Sequence, residues 1–202
     1  MSTSTSTTTT TTTTTTGPDA APPVEPRRFR NVMGRFTTGV TIIGTKHADG
    51  IHAMTANGFM SVSLDPALAM VSIATKAKMH EMLLASGRYG VSFLGADQET
   101  VSRHFSGRPD LLPDFSFDEI AGAPLVRGAL ARISVEVVDA HRAGDHTLFI
   151  GKVHHLDDAP GDPLVFYSGG YRHLLRAAHD TEYSDAWSGF CLEPTGPLTL
   201  AG

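Results

Sequence analysis

The stretch AGDHTLFIGKV, residues 143–153, places a glycine, an acid and an imidazole directly before a β-like run. Gly144 and Asp145 are typical of a tight turn, so one interpretation is a plain turn at the entrance of a strand. The other interpretation is a site, because an acid and an imidazole lie side by side at the strand entrance. The residues of this stretch leave both interpretations open.

A second group of polar residues lies in MTANGFMSVSLDP, residues 54–66, at the predicted exit of a strand. Hydroxyl and amide side chains crowd around Gly58 here; they are Thr55, Asn57, Ser61 and Ser63. Composition alone favours a hydroxyl-rich turn. The functional alternative is a loop whose N–H groups and hydroxyls face the polar edge of a flat ligand.

The segment SIATKAKMHEML, residues 72–83, predicts a strand that ends at Ser72 and a helix that begins at Thr75. Lys76 and Lys78 then fall in the first helical turn, where positive charge opposes the helix dipole. A phosphate group bound at this N-terminus would explain the two lysines. Two solvated lysines explain them as well, so both interpretations stay open.

The motifs disfavour metal and hydrolase chemistry. The sequence has no H-E-x-x-H motif and no cysteine pair, and the adjacent His154 and His155 point to opposite faces of a predicted strand. The G-x-S-x-G motif and the glycine-rich fingerprints of Rossmann and P-loop proteins are also missing. We therefore predict neither a metal site nor a serine nucleophile.

Length and composition indicate one globular domain, with 202 residues and a hydrophobic content of 41%. The formal net charge of −5, without a basic run, argues against a nucleic-acid partner. No apolar run approaches the roughly 20 residues that cross a bilayer, so we expect no membrane partner. The single cysteine, Cys191, cannot form an internal disulfide, which fits a cytoplasmic location.

The sequence divides into three parts. Residues 1–24 form a threonine-rich, low-complexity tail that lacks the features of a secretory signal and that we predict to be disordered. Residues 25–174 carry the periodic patterns of a folded domain. Periodicity weakens after that point, and we predict a loosely ordered C-terminal tail over residues 175–202.

Three helices are predicted within the domain. The first has an apolar face over residues 29–36 and should begin at Pro26 and end at Gly39. The second begins at Thr75, and the third follows Asp97 as its N-cap. All three are short, so they are expected at the periphery of the domain.

Strands are predicted by apolar or alternating runs. They are the two runs around HADG in VTIIGTKHADGIHAMTANGFMSV, then ALAMVSIA, RYGVSFLG, ARISVEVVDAHRAGD, HTLFIGKVHHLDD and PLVFYSGGYRHL. The Pro- and Asp-rich segment RPDLLPDFSFDEIAGAPLV is predicted as an excursion over the surface. Most connections are too short for parallel crossovers, which predicts an antiparallel, barrel-like sheet.

Five segments occur in an order typical of one protein family. They are FRNVMGRFTTGVTIIGT, HAMTANGFMSVSLDPALAMVSIATKAKM, HFSG, AGDHTLFIGKV and DPLVFYSGGYRHL. On these residues the chain resembles the short-chain flavin reductase family, the reductase components of two-component flavin-dependent monooxygenases. The resemblance covers about residues 27–174. Its most specific marks are the blocks M-T-A-N-x-F-x-S-V-S-L-D-P and G-D-H-T-L-F-I-G.

The resemblance implies a mainly β fold, a Greek-key split β-barrel of the FMN-binding type with a few short peripheral helices. It implies a homodimer that holds FAD or FMN near the subunit interface, and the apolar helix face over residues 29–36 is compatible with such an interface. It also implies reduction of the flavin by hydride transfer from NADH or NADPH. Free reduced flavin would then pass to a partner flavin-dependent monooxygenase.

The resemblance also assigns residues to the two ligands. The expected flavin-binding residues are Thr38, Met54, Thr55, Ala56, Asn57, Phe59, Ser61, Val62, Ser72, Ile73, Lys78, Phe105, Ser106 and Gly107. Among these, Ser72, Ile73 and Lys78 are expected at the ribityl phosphate. The expected nicotinamide-binding residues are Asp145, His146, Tyr171 and Arg172, with His146 as the catalytic residue.

Two other functions remain compatible with the residues. The first is a flavin carrier or sensor without turnover, built on the same barrel. The second is a small oxidoreductase that keeps its flavin bound and acts directly on an organic substrate. The sequence does not choose between FAD and FMN. It does not choose between NADH and NADPH either, because it has no Rossmann acid or arginine that would indicate the nicotinamide cofactor.

Overall fold

The structure of the chain is a computed structural model, which describes residues 23–48, 50–108 and 113–174. The predicted N-terminal tail, residues 1–24, lies outside this part apart from its last two residues. The predicted C-terminal tail, residues 175–202, lies outside it entirely. The described part thus corresponds to most of the predicted domain, residues 25–174.

Three α-helices and twelve strands make up the described part of the chain. In chain order they are α1 (Pro26–Met33), β1 (Thr38–Gly39), β2 (Thr41–His47), β3 (Gly50–Ala56), β4 (Phe59–Leu64), β5 (Ala67–Ala74), α2 (Lys78–Ser86), β6 (Arg88–Phe93), α3 (Glu99–Phe105), β7 (Phe117–Ile120), β8 (Ala123–Val126), β9 (Ala131–Ala143), β10 (His146–Asp158), β11 (Val165–Tyr167) and β12 (Gly170–Arg172). A short 3-10 turn, Ala96–Gln98, precedes α3.

Seven of these strands form one sheet in the order β3-β2-β6-β9-β10-β5-β4, with every neighbouring pair antiparallel. The hairpin of β9 and β10 is its longest unit, with 13 residues in each strand. Strands β1, β11 and β12 form a second, three-stranded sheet, and β7 pairs with β8. The predicted antiparallel, mainly β architecture with short helices is confirmed.

Strand β2 is buried on both faces and separates two hydrophobic cores. Ile43 belongs to the first core, together with Leu83 of α2 and Phe149 of β10. Ile42 belongs to the second core, which includes residues of α3 and β8. Successive side chains of a strand point to opposite faces, so two adjacent isoleucines can fill two different cores. The run from Thr41 to Thr45 is therefore buried throughout.

The β7–β8 hairpin covers the sheet at a place where two glycines face each other. Gly44 and Gly90 are cross-strand partners in β2 and β6. A Cβ atom at Gly90 would lie 2.3 Å from the carbonyl oxygen of Pro124, and one at Gly44 would lie 3.0 Å from the same oxygen. The absence of both side chains therefore allows the backbone of β8 to pack directly on the sheet.

The first two predicted helices differ from those in the structure. The first ends at Met33, with Gly34 as its C-cap, and does not extend to Gly39. The Gly34 N–H group already donates to the carbonyl of Arg30, and the chain then turns towards β1. The second helix begins at Lys78 and not at Thr75, so Lys76 lies before the helix.

The third helix and the predicted surface excursion also differ. Helix α3 begins at Glu99, and Asp97 lies in the preceding 3-10 turn and is not the N-cap. The side chain of Gln98 instead accepts a hydrogen bond from the Gly95 N–H group at 3.0 Å. The excursion contains the β7–β8 hairpin, and β8 is buried throughout because it packs on the sheet. In the described ranges, no helix is long and apolar enough to span a membrane.

The close approach of β8 to the sheet predicts that Gly90→Ala destabilises the fold. An added Cβ must displace the Pro124 main chain, and overpacking of this kind costs about 1–3 kcal/mol. Thermal unfolding should therefore show a melting temperature several degrees lower. Gly39→Ala is the control, because a Cβ at Gly39 has no atom within 4 Å. Equal melting temperatures for the two variants would contradict this account of the packing.

Candidate functional site

A cavity of about 400 Å³ lies between the end of β3, helix α3 and the β11–β12 hairpin. Its lining combines aromatic, hydroxyl, amide and guanidinium groups. The lining residues are Val40, Thr55, Ala56, Asn57, Arg103, Ser106, Arg108, Phe166, Gly169, Gly170 and Tyr171. We call this space the β3 cavity. It unites five of the residues predicted from the sequence, namely Thr55, Ala56, Asn57, Ser106 and Tyr171.

The ring of Tyr171 is fixed in the wall of the β3 cavity from three directions. Its hydroxyl shares a hydrogen bond of 2.8 Å with the hydroxyl of Ser102, which is fully buried. The guanidinium of Arg103 lies 4.9 Å from the ring centroid. Phe166 packs edge-on at a centroid distance of 5.5 Å. The cavity therefore has a rigid aromatic wall with a cation on one face.

The end of β3 is held by side-chain hydrogen bonds to its neighbours. The hydroxyl of Thr55 donates to the main-chain carbonyl of Ser102 in α3 at 2.6 Å. The hydroxyl of Thr41 in β2 donates to the carbonyl of Ala56 at 2.8 Å. These bonds fix the backbone that leads into Asn57, which is exposed. The polar groups at the strand exit are thus part of an ordered frame.

A second cavity, of about 750 Å³, lies between α1 and the β11–β12 turn. It adjoins the β3 cavity, because Asn57, Phe166 and Gly169 line both. The predicted residue Thr38 lines this second cavity, and its hydroxyl lies 3.5 Å from the side-chain nitrogen of Asn57. The Ser168 N–H group donates to the carbonyl of Gly34 at the end of α1, which connects the turn to the helix.

Gly58 connects the polar loop after β3 to strand β5. Its carbonyl accepts a hydrogen bond of 2.8 Å from the Ser72 N–H group. The ring of Phe59 packs edge-on against Phe93 and, like the side chain of Met54, contacts the first core. Of the predicted flavin residues, Ile73 is fully buried in this core. Its side chain therefore does not reach the surface, and the predicted contact of this residue with the ribityl phosphate, which stays a prediction, would have to be made by its main chain.

Five further predicted flavin residues are Ser61, Val62, Phe105, Ser106 and Gly107, of which only Ser106 lines one of the two cavities. Ser61 and Val62 are exposed on the edge strand β4, where Val62 occupies a β-bulge. The ring of Phe105 packs against Phe115 and Phe117 beside the second core, so Ser106 is the residue of this segment that reaches the cavity. Gly107 has a φ of +88°, a conformation that glycine adopts readily.

Positive charge collects at the start of α2. Its N-cap residue, Ala77, offers no side-chain hydrogen bond, and Lys78 is the first helical residue. Partial burial, together with the positive charge of Lys78, lowers the pKa of His52 on the neighbouring strand β3. The cationic group and the N-terminus of the helix together have the chemistry that attracts an anion.

The turn before β10 presents an imidazole that is oriented by a carboxylate. Nδ1 of His146 lies 2.8 Å from Oδ1 of Asp145. This hydrogen bond is the main reason that the pKa of the Asp145 carboxyl lies below its usual range. The turn itself is confirmed, with Gly144 at a φ of +62°. With Nδ1 held by the carboxylate, Nε2 is the nitrogen available to a ligand.

The four predicted nicotinamide residues lie in two places. Tyr171 belongs to the β3 cavity, and Arg172 beside it donates to the main-chain carbonyl of Tyr171 at 2.7 Å. Asp145 and His146 lie at the β9–β10 turn and line neither of the two cavities. Among the contacts of the described residues, none joins His146 to Tyr171 or Arg172.

Sequence reasoning missed the cationic and glycine residues of the β3 cavity. Arg103 and Arg108 flank the segment HFSG, Gly169 lies in the turn of the last hairpin, and Gly170 begins β12. The adjacent small residues in YSGGYR were a signal for a close approach of the backbone. The pairing of Ser102 with Tyr171 had no such signal, because 69 residues separate the two.

The bond between Tyr171 and Ser102 predicts that Tyr171→Phe destabilises the protein. The variant leaves the buried Ser102 hydroxyl without this partner, which costs about 1–2 kcal/mol in the free energy of unfolding. Chemical denaturation measures this loss. Tyr167→Phe is the control, because its hydroxyl accepts an exposed hydrogen bond of 3.3 Å from Arg35. The account fails if both variants unfold at the same denaturant concentration.

Known proteins are similar to this chain in sequence and in fold. The family described as flavin reductase like domain matches residues 33–175. An NADH-dependent flavin reductase from a Rhodococcus species is 46% identical over 162 residues, which cover 79% of this chain and 92% of the relative.

Two solved structures are similar in fold. The flavin reductase PheA2 superimposes with a TM-score of 0.73 and 48% identity, covering 76% of this chain and all of that chain. The styrene monooxygenase flavin reductase from Pseudomonas putida S12 superimposes with a TM-score of 0.67 and 38% identity, covering 74% of this chain and 99% of that one. The expected split β-barrel is confirmed. The chain therefore belongs to the flavin reductase like family.

Proposed function

We propose that this protein is an NAD(P)H-dependent flavin reductase. It reduces FAD or FMN with NADH or NADPH and supplies free reduced flavin to a partner flavin-dependent monooxygenase. The observation that carries the proposal is the β3 cavity, whose rigid aromatic wall faces hydroxyl and amide groups. Membership of the flavin reductase like family supports the same activity, and one relative is named a styrene monooxygenase flavin reductase.

The residues of the β3 cavity fit a flavin by their chemistry. A volume of about 400 Å³ lies within the usual range of ligand pockets. Tyr171 and Phe166 offer apolar surface to a flat ring system, and Asn57 and Ser106 offer hydrogen-bonding groups to its polar edge. Gly169, with a φ of +80°, and Gly170 leave room for a ligand close to the backbone.

We assign the phosphate of the flavin to the start of α2. Lys78 supplies positive charge, the main chain around Ser72 and Ile73 supplies polar groups, and the N-terminus of α2 favours an anion. The structure shows Lys78 as the first residue of the helix, where a phosphate would offset the unfavourable interaction of its charge with the helix dipole. Lys76 precedes the helix and adds to the positive charge.

The nicotinamide side of the reaction is assigned to the turn before β10 and to Tyr171 with Arg172. A bound flavin supplies the redox chemistry, by accepting a hydride from the nicotinamide. The task of the chain is to bind the two rings in contact and to exclude unproductive arrangements. Asp145 orients the imidazole of His146 through the bond at Nδ1, and Nε2 can then donate to or accept from the nicotinamide.

The Asp145–His146 pair also favours a reductase over a flavin carrier. A carrier has to hold only the flavin and needs no oriented imidazole in an accessible turn. In this chain the His146 side chain is 43% exposed and is held by a carboxylate. An enzyme with a permanently bound flavin is distinguished from this function by gel filtration, in which its flavin would stay bound, whereas a flavin delivered to a partner must leave the protein.

We further propose that the protein is a cytoplasmic homodimer. Helix α1 is amphipathic, yet none of its residues is buried. Its apolar side chains Phe29, Val32 and Met33 are each more than half exposed. Met60 and Leu64 add exposed apolar surface on the edge strand β4, and such surface is typical of an interface between subunits. The single cysteine, Cys191, supports a reducing compartment.

The proposed activity predicts flavin-dependent oxidation of NADH or NADPH by the purified protein. Loss of the nicotinamide absorbance should require added FAD or FMN. His146→Ala should raise the KM for the nicotinamide substrate up to about tenfold, because one hydrogen bond of about 1.5 kcal/mol at most is lost. Its flavin Kd, from fluorescence titration, should stay within about twofold of the wild type.

Two outcomes would count against these assignments. If neither nicotinamide is oxidised in the presence of either flavin, the reductase function is wrong. If His146→Ala has unchanged kcat and KM, the reductase function stands and His146 is removed from the nicotinamide site.

The proposed interface predicts that Val32→Glu shifts the dimer towards monomer. A charge on the apolar face of α1 should weaken association at equal protein concentration, as measured by light scattering after gel filtration. Leu84→Glu is the matched control, since Leu84 is an equally exposed apolar residue on another helix, at 58% against 61%. A monomeric wild type, or a dimer unaffected by Val32→Glu, would contradict the interface.

A further inference from the structure

Thr75 makes two hydrogen bonds to a single main-chain atom of the imidazole-bearing turn. Its N–H group donates to the carbonyl oxygen of Asp145 at 2.9 Å, and its hydroxyl donates to the same oxygen at 3.1 Å. Thr75 directly follows β5, whose pairing with β10 ends at Ala74 and His146. The two bonds therefore extend the contact between these strands beyond the sheet, into the turn.

The turn needs such support because its own hairpin end is exposed. Residues 138–145, the last part of β9 and the turn, are all exposed. Gly144 adopts a positive φ of 62° and adds no side chain that could pack. The bonds from Thr75 thus restrain a segment that has few buried contacts, and segments of that kind open most readily.

Thr147, the residue that follows His146, is held by helix α2. Nε2 of His80 and Oγ1 of Thr147 are 2.9 Å apart, and Thr147 is buried. The ring of His80 also packs edge-on against Phe149, which keeps the helix on β10. Asp145 is therefore hydrogen-bonded to Thr75 and Thr147 to His80 of α2, while the imidazole of His146 between them is 43% exposed.

We propose that Thr75 is a positioning residue for the nicotinamide side of the reaction. Its hydroxyl fixes the Asp145 main chain, and this in turn fixes the carboxylate that orients His146. The inference rests on the proposed function, because it gives His146 its role at the nicotinamide. Thr75 lies only three residues before Lys78. One short segment therefore carries both the residue that positions the imidazole-bearing turn and the lysine proposed to bind the flavin phosphate.

The test uses Thr75→Val, which keeps the shape and the N–H bond and removes the hydroxyl bond. The KM for NADH should rise about three- to tenfold, the usual effect of one lost hydrogen bond. The kcat and the flavin Kd should stay within about twofold of the wild type. Thr75→Ser keeps a hydroxyl at this position and should restore the wild-type KM. Thr100→Val, at an exposed threonine of α3, is the matched control.

Two measurements without turnover complete the test. Calorimetric titration of the flavin-free protein with NAD⁺ should show a Kd raised by the same factor in Thr75→Val. Hydrogen exchange of the flavin-free protein should become faster at residues 144–147 in this variant, and remain unchanged in Thr100→Val. Both measurements report on the turn itself and do not depend on flavin reduction.

Several results would overturn the role of Thr75. An unchanged KM for NADH and unchanged exchange in Thr75→Val would do so, and so would an equal defect in Thr75→Ser. A raised flavin Kd with an unchanged KM for NADH would make Thr75 a flavin contact instead. These results are distinct from failure of the proposed function, in which the wild-type protein itself oxidises no NADH in the presence of flavin.

Discussion

The hydrogen-bond ladder of strand β5 is the constraint on which the candidate site depends. This strand pairs with β4 along one edge and with β10 along the other. Beside these pairings, the Ser72 N–H group bonds to the carbonyl of Gly58, and the Thr75 N–H group bonds to the carbonyl of Asp145. One strand therefore sets the polar loop after β3 and the imidazole-bearing turn before β10. A slip in its register would move both sets of groups.

Charge adds a second constraint to this frame. Lys76 and Lys78 lie close to the end of β5, and the charge of Lys78 contributes to the lowered pKa of His52. An anion bound at the start of α2 would be attracted by this positive charge, as the proposed flavin phosphate requires. On the other side of the same segment, Asp145 is held by His146, with a smaller contribution from Lys76 to its lowered pKa. The segment from Lys76 to Lys78 thus lies between the proposed phosphate site and the imidazole-bearing turn.

Much of the fold could be predicted from local pattern. The apolar run ALAMVSIA is β5, which ends at Ala74 and not at the predicted Ser72, and the alternation in ARISVEVVDAHRA marks β9. The start of α2 could not be predicted in this way, because Thr75 is held by Asp145, which lies 70 residues further along the chain. The burial of β8 was missed for a similar reason, since the glycines on which it packs, Gly44 and Gly90, are distant from it in sequence.

The candidate site was predictable in part. The family motifs indicated Thr55, Asn57 and Tyr171, and the structure gathers these three around one cavity. The motifs also indicated Ile73, but its side chain is buried. A motif does not show which face of a strand points to the core, so this burial could not be predicted. The arginines of the cavity were not indicated, because Arg103 acquires its role only when α3 packs against the last hairpin.

The central claim is that the chain passes a hydride from a nicotinamide to a flavin, and anaerobic rapid mixing tests it most directly. A small amount of protein is mixed with an excess of FAD or FMN and NADH, and the visible absorbance of the flavin is followed without oxygen. The account predicts that the flavin absorbance is lost, and more slowly when the transferred hydrogen of NADH is replaced by deuterium. Flavin absorbance that persists with NADH and with NADPH, for both flavins, would contradict it.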